Sequence, residues 1–598
     1  MLIMKIKIPL MIQDPLTSTL QDIEPTEGFH PDNEEFFLDG PTSKRIAVLD
    51  FSTETGEVLP GAIFKRPPPG RVLGWYENAS GDDLMDVKGD ALYEPVFQQV
   101  SVFATVLKTM YLFEGRGDDM RETLGRPLMW AFDSPQLLVV PRAGQQANAY
   151  YHRDSSSLQF FSFPHPSESE KTIYTCLSRD IVAHETGHAI VDGIAPDLLD
   201  SCTPQSLAIH EAIADLTALL MAFESHNLAQ LVLDKHDGSL GDSTEFSFIA
   251  EEFGAALKES GRGLRNLHNE KSLNPRDGEN FVGRNEPHAL SEVLSGALYR
   301  VMINIHENLK DEYAETPEYQ KFPDPRFSAS GRALAVGAYR LKRMVFRALD
   351  YLPPGEVSFA DYGRAIIAVD EVAYPKDDNM RNWIRDEFVN RNIVQDRAAL
   401  EVQTNFEHEA LEGVDIPTLH ESDWVAYDFA NRYRPLFHIP FDTPFRMRPR
   451  LSLEKRYDEE VMGHECICRV SWDHIEANPI GHGHSERRRI TVGTTLAVDW
   501  DTGRVLARLT NAPPLESYRE GKYVDADLRR LAEVEYEQQR KDRDEFLQFL
   551  ASEGLLRVGR HAIGPDGQPL LSVIPADVKH GIMHTRNTGN MLHIAGQR

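Results

Sequence analysis

His184-Glu185-Thr186-Gly187-His188, followed 23 residues later by Glu211 in the run His210-Glu211-Ala212-Ile213-Ala214-Asp215, is the stretch on which the reading of this chain turns. On a helix, positions i and i+4 lie one turn apart on one face, so His184 and His188 can direct two imidazole nitrogens at a single ion. Glu185 sits beside them, within reach of a water on that ion. A catalytic zinc takes three protein ligands and keeps one position open, so a third ligand must come from elsewhere, and Glu211 is the candidate. From Leu207 to Phe223, apolar residues recur at Ile209, Ile213, Leu216, Leu219, Leu220 and Phe223. This is helical spacing, and it sets Glu211 and Asp215 one turn apart. Asp215 can then hold the distal nitrogen of a ligand histidine and fix its tautomer. Chance alone puts H-E-x-x-H in about one such chain in fifteen. The specificity therefore comes from the downstream E-x-x-x-D helix and from the apolar flanks Ile181, Val182, Ala189, Ile190 and Val191.

With these residues in place, the chain resembles the thermolysin-like zinc endopeptidases of the gluzincin group, over about residues 60 to 395 and in the family's motif order. Asn148-Ala149-Tyr150-Tyr151 is similar to the family's edge-strand motif, which implies that Asn148 and Ala149 hold an extended substrate. Gly263-Leu264-Arg265-Asn266-Leu267 resembles the segment whose Arg binds the carbonyl just past the scissile bond, which assigns that role to Arg265. His288, with Ser291 and Tyr299 behind it, matches the histidine that stabilises the tetrahedral oxyanion, and Asp192 matches the acid that supports the second ligand histidine. Phe359-Ala-Asp-Tyr-Gly-Arg-Ala365 and Trp383-Ile-Arg-Asp-Glu-Phe388 look like the closing helices of the family's helical lobe. The resemblance implies a zinc-dependent endopeptidase with one catalytic Zn2+ on His184, His188 and Glu211, Glu185 as general base and His288 at the oxyanion. Ile181 and Leu264 would line the pocket for the residue after the scissile bond. Two aliphatic walls favour a bulky apolar side chain there, so cleavage is expected on the N-terminal side of Leu, Phe, Ile or Val, as a preference rather than a strict choice.

The chain also departs from the family. Gly283 stands where an Asp usually orients the oxyanion histidine, with Glu286 the nearby substitute. Leu199 and Asp200 occupy the place of a Tyr that helps bind the oxyanion. Asp180 keeps one calcium-ligand position, but Ala222 replaces the expected Glu and Glu224 falls on another helix face, so calcium lacks a full ligand set. These departures motivate a second reading, a peptidase-fold module that binds a partner without cleaving it.

Composition sets the outer bounds. At 598 residues, with 41% hydrophobic and 26% charged residues, the chain has the make-up of a globular protein of several domains. A formal net charge of −30 offers no basic stripe for nucleic acid or an anionic membrane. The four cysteines, Cys176, Cys202, Cys466 and Cys468, make no disulfide framework. Residues 1–12 alternate charged and apolar side chains, read as a strand and show no signal-peptide pattern. The expected location is the cytoplasm, or export without a recognisable signal, and the expected partner is a peptide or protein substrate.

The expected fold class is α+β: a two-lobed zincin with a β-rich N-terminal lobe (about 67–195) and a helical lobe (about 196–395). An N-terminal strand and hairpin extension (1–66, with a hairpin over 46–59 and a Pro-rich linker at 67–70) precedes it. A mixed β/α accessory domain (396–598) follows, whose role is unread and which could serve a protein partner. Strands are expected at 137–140, 147–151 and 158–163. Helices are expected at 91–112, 288–309, 331–352, 359–373 and 379–390. Beyond 395, strands are expected at 465–472, 490–500 and 504–509, with a charged helix from 525 to 556. Truncation near 395 is expected to leave a folded metal-binding core. His464-x-Cys466-x-Cys468 and His482-x-His484 raise a second metal site, although alternating His and Cys on a strand more often reflect pleat.

Overall fold

Three apolar helices form the centre of the molecule: α1 (Pro95–Glu114), α2 (Arg179–Ile194) and α3 (Pro204–Phe223). The computed structural model describes residues 5–15, 18, 24–31, 36–66, 73–114, 123–165, 171–201, 203–241, 245–249, 265–284, 286–457, 462–480, 485–514, 526–558 and 574–585. By length and composition α1 and α3 could cross a membrane, but 83% and 94% of their apolar windows are buried inside the protein. Their apolar character runs all round because other elements surround them. α2 begins where Ser178 accepts the Ile181 N–H and ends at Ala195, just before Pro196. α3 opens with Pro204, whose missing N–H costs nothing at a first turn. The two cross closely at Gly187, where a Cβ would stand 3.2 Å from both Ala214 Cα and Thr217 Oγ1. The glycine therefore sets the distance between the helix that carries both motif histidines and the helix that carries Glu211.

A four-stranded sheet flanks α2 in the order Ile46–Val48, Leu137–Val140, Ser157–Phe160, Ala149–His152. Its first two junctions are parallel and the last is antiparallel, which leaves Ala149–His152 as an edge. The expected 46–59 hairpin is corrected here: Ile46–Val48 pairs with Leu137–Val139, and between the two arms only an isolated bridge, Phe51 to Val58, remains. The expected strand over 158–163 breaks at Phe161, and Ser162–Pro164 turns to pair with Thr172–Tyr174. The N-terminal strand divides in two. Lys5–Ile6 joins Leu73–Gly74, Ile8–Met11 pairs with Thr26–Phe29, and Ile8, Leu10, Met11 and Ile12 are buried in the main core.

Four further helices follow as their periodicity requires: α4 (Pro287–Ala314), α5 (Pro325–Tyr351), α6 (Phe359–Ala373) and α7 (Asn379–Asn390). α4 packs on α3 and α5 on α4. Beyond them lies a nine-stranded sheet built on two long strands, Met462–Ala477 and Arg487–Asp499, paired without a break from Glu465–Asp499 to Ala477–Arg487. Helix α8 (Ala526–Ser552) lies between this sheet and the helical region, touching α3. The molecule is thus mixed α+β with several sheets.

Residue 395 marks no gap in this packing. One hydrophobic core runs from Ile6 through α1–α7 into Leu453, Ile467, Ala497, Leu509, Phe546 and Leu550. At Gly355 (φ +92°) the chain passes so close to the long strand that a Cβ would collide with the Thr491 carbonyl, and Glu356 N–H donates to that same oxygen at 3.2 Å. Arg126–Asp350, Arg448–Asp197 and Arg543–Glu356 are ion pairs, the last two crossing between the two parts. A cut at 395 would expose part of this continuous core, so the packing does not favour independent folding of 67–395.

Candidate metal centre

α2 and α3 bring His184, His188 and Glu211 together, with one ligand atom from each inside a 4.8 Å triangle, all three residues buried. The two Nε2 atoms stand 3.0 Å apart. His184 Nε2 lies 3.4 Å from Glu211 Oε2, and His188 Nε2 lies 3.4 Å from Glu211 Oε1. Among the described residues this is the group of His, Cys, Asp and Glu side chains with metal-ligand spacing. Glu211 Oε1 also faces His288 Nε2 at 3.4 Å, yet it is buried with no hydrogen bond formed to either imidazole. A buried carboxylate oxygen that converges with imidazole nitrogens but bonds to none fits a cation between them. The imidazoles beside Glu211 outweigh its burial and hold its carboxyl well below the usual range, so it offers a charged oxygen.

Asp215 stands where the helical spacing puts it, with Oδ1 3.1 Å from His184 Nδ1 and 3.2 Å from Arg265 Nε. Arg265 also donates to Glu211 Oε2 at 3.2 Å. Glu185 lies one residue along the ligand face, fully enclosed, and its Oε2 accepts the Tyr151 backbone N–H at 2.9 Å. Burial pushes its carboxyl up to about 7, the range in which a general base works best near neutral pH. His288 reaches the cluster from the first turn of α4. Glu286 caps that turn and accepts from His288 Nδ1 at 3.0 Å, so Glu286 does the orienting that Gly283 cannot. Burial lowers the His288 pKa, but the Glu211 and Glu286 carboxylates outweigh it and leave the imidazole above its ordinary value.

Asp192 is the residue whose role changes. Its carboxylate accepts from Tyr151 Oη at 2.8 Å and from Arg153, which also pairs with Asp200, so it braces the edge strand against α2. The distal nitrogen of His188 meets His210 instead, Nδ1 to Nδ1 at 2.7 Å. Burial, then the neighbouring His188, hold His210 well below the ordinary imidazole pKa, so it is neutral. A neutral His210 can accept the Nδ1 proton of His188 only as the Nε2–H tautomer, and that leaves His188 Nε2 bare for a metal. Sequence reasoning missed His210, Tyr151 and Arg153. His210 was visible beside Glu211, but a histidine next to a ligand has no spacing rule that marks it.

The remaining expected residues are placed as follows. Asn148 Oδ1 accepts the Ala149 N–H at 2.9 Å, ahead of the edge strand that starts at Ala149. Ile181 lies one turn before His184 and is almost wholly buried. Leu264 lies outside the described residues. Leu199 is buried, and Asp180 lies 3.6 Å from Arg179. Cys466 and Cys468 sit in the core under the C-terminal sheet, sulfurs 3.8 Å apart, while His464 stacks on Trp500 and pairs with Ser452. These three do not form a ligand group, and His482 and His484 lie outside the described residues. In comparisons with known proteins, no family model and no curated protein matches the chain.

Proposed function

We propose that this protein is a zinc-dependent endopeptidase of thermolysin-like architecture. The observation that carries the reading is the convergence of His184, His188 and Glu211 on one point, beside a Glu185 carboxylate whose proton affinity suits a base. A zinc ion bound there would acidify a water and polarise a carbonyl. Glu185, held by the Tyr151 amide, takes the proton of the attacking water and passes it to the leaving amine. His288, steadied by Glu286, donates from Nε2 to the oxygen that becomes negative. The edge strand Ala149–His152 offers backbone groups to an extended peptide, and Arg265 supplies a guanidinium at the metal cluster, where it donates to Glu211. Ile181 contributes an aliphatic wall, which favours cleavage before a bulky apolar residue.

The test is paired. Glu185→Gln keeps about one zinc per chain and loses hydrolysis of an unstructured peptide by several orders of magnitude, whereas His184→Ala loses the metal. Equal turnover by Glu185→Gln and wild type, or turnover insensitive to a chelator, rejects the proposal. A cut-site profile dominated by glycine or charged residues after the scissile bond rejects the pocket assignment alone.

A further inference from the structure

The carboxylate of Asp542, midway along α8, is 2% exposed and accepts three hydrogen bonds. Oδ2 takes Arg284 Nη1 at 2.9 Å and Gln205 Nε2 at 3.0 Å, and Oδ1 takes Gln538 Nε2 at 2.7 Å. Gln205 lies in the first turn of α3, the helix that presents Glu211, and its Oε1 accepts the Phe359 N–H at the start of α6. Arg284 lies two residues before Glu286, which caps α4 and holds His288. One carboxylate from the C-terminal part therefore meets both elements that bear on Glu211 and His288.

Among the described residues, the last stretch of the loop before α4, from Gly283, has few other anchors. Val282 N–H reaches Ser272 O at 2.9 Å, but around Gly283 a Cβ would meet nothing within 4 Å. Among the described residues between that bond and the α4 cap, the Arg284–Asp542 pair is the charged tie. Such a tie is strong because the guanidinium and the carboxylate are both largely shielded from water. Next along α8, Arg543 grips Glu356 at 2.8 Å, so the helix is held on the same side by a second ion pair.

We propose that Asp542 is a positioning residue of the metal cleft: through Arg284 and Gln205 it holds the His288 loop against the Glu211 helix, so the cleft takes its working shape only with the C-terminal part packed on it. Loss of the tie leaves the metal ligands in place, because His184, His188 and Glu211 sit on the α2–α3 pair itself. It frees His288 to move relative to them, and displacements of about 1 Å at a reacting centre cost up to about a hundredfold in rate.

The test uses the full chain as wild type, Asp542→Asn, Arg284→Gln, the double variant and Lys541→Ala, a control at an exposed neighbour on α8. The structural arm is amide hydrogen exchange. Both single variants should speed exchange about tenfold over 281–290 and leave α2 as in wild type, and the double variant should be no worse than either single. The kinetic arm, which alone rests on the peptidase reading, should show kcat reduced at least tenfold, KM changed less than twofold and one zinc per chain retained. Wild-type exchange over 281–290 in Asp542→Asn overturns the proposal, as does faster exchange across the whole chain or additive effects in the double variant. A wild-type protein without peptidase activity that still shows the localised exchange effect rejects the peptidase reading and leaves the tie standing.

Discussion

The metal cleft and the junction between α8 and the C-terminal sheet both bury charge, but they balance it differently. At the junction, Glu476 Oε2 accepts from Arg488 at 2.8 Å, and Oε1 accepts from Tyr536 at 2.6 Å and from Arg543. Both Glu476 oxygens have donors in the protein itself. In the cleft, Glu211 Oε1 is buried without a formed hydrogen bond, although the His188 and His288 imidazoles stand within 3.4 Å of it. A cluster that satisfies its own acceptors holds elements together. One that gathers acceptors and leaves them unsatisfied is arranged for something the chain does not supply.

The largest test of this contrast is metal linkage. Zinc at about a thousandfold over its Kd should stabilise the folded protein by about 4 kcal/mol, seen as a rise in Tm, and His184→Ala should erase the rise. A zinc-induced shift that survives His184→Ala would place the ion elsewhere. Next, Glu476→Ala should cost about 3 kcal/mol in chemical denaturation, because it removes the buried carboxylate that Arg488 and Arg543 share and leaves them only Asp544 and Glu356. A loss below about 1 kcal/mol would show that the junction is not closed as described.

The same group gives a pH test. Arg543 and Arg488 outweigh the burial of Glu476 and hold its carboxyl at about 2, against an ordinary 4.5. A lowered carboxyl pKa contributes stability that is fully present above pH 4.5 and lost as the pH falls towards 2. This amounts to about 3 kcal/mol at most. Glu476→Gln should flatten that part of the stability-versus-pH curve, and an unchanged slope between pH 4.5 and 2 would assign the acid sensitivity to other groups. The smallest expected effect is that of His210→Ala, which should weaken zinc binding by about ten- to a hundredfold in a competition titration while leaving the fold intact. Unchanged affinity would remove His210 from the support of His188.

Much of the cleft could be read in the sequence because its residues sit on two helices whose apolar spacing fixes which side chains share a face. That His184 and His188 share one helix face, and Glu211 and Asp215 another, follows from the motif spacing and the helical period. What periodicity could not give is contact between elements distant in the chain. His210 on His188, Tyr151 on Glu185 and Asp192 on Arg153 all depend on how an edge strand and two helices meet. The misread hairpin has the same cause, since Ile46–Val48 and Val58-Leu59 satisfy every local hairpin rule while the true partner begins at Leu137. The C-terminal strands at 490–500 and 504–509 were visible from alternation, but their share in the main core was not, because the apolar side of a strand does not name its neighbour.

Gly187, the second free position of the motif, acts as a caliper. It keeps α2 and α3 near enough that the nitrogens and the carboxylate converge. A methyl group there would press on Ala214 and Thr217 and part the helices by a few tenths of an ångström. The spacing of the three candidate ligands is thus set partly by a residue outside the ligand set, and Gly187→Ala should weaken metal binding, read in a competition titration, before it unfolds the chain.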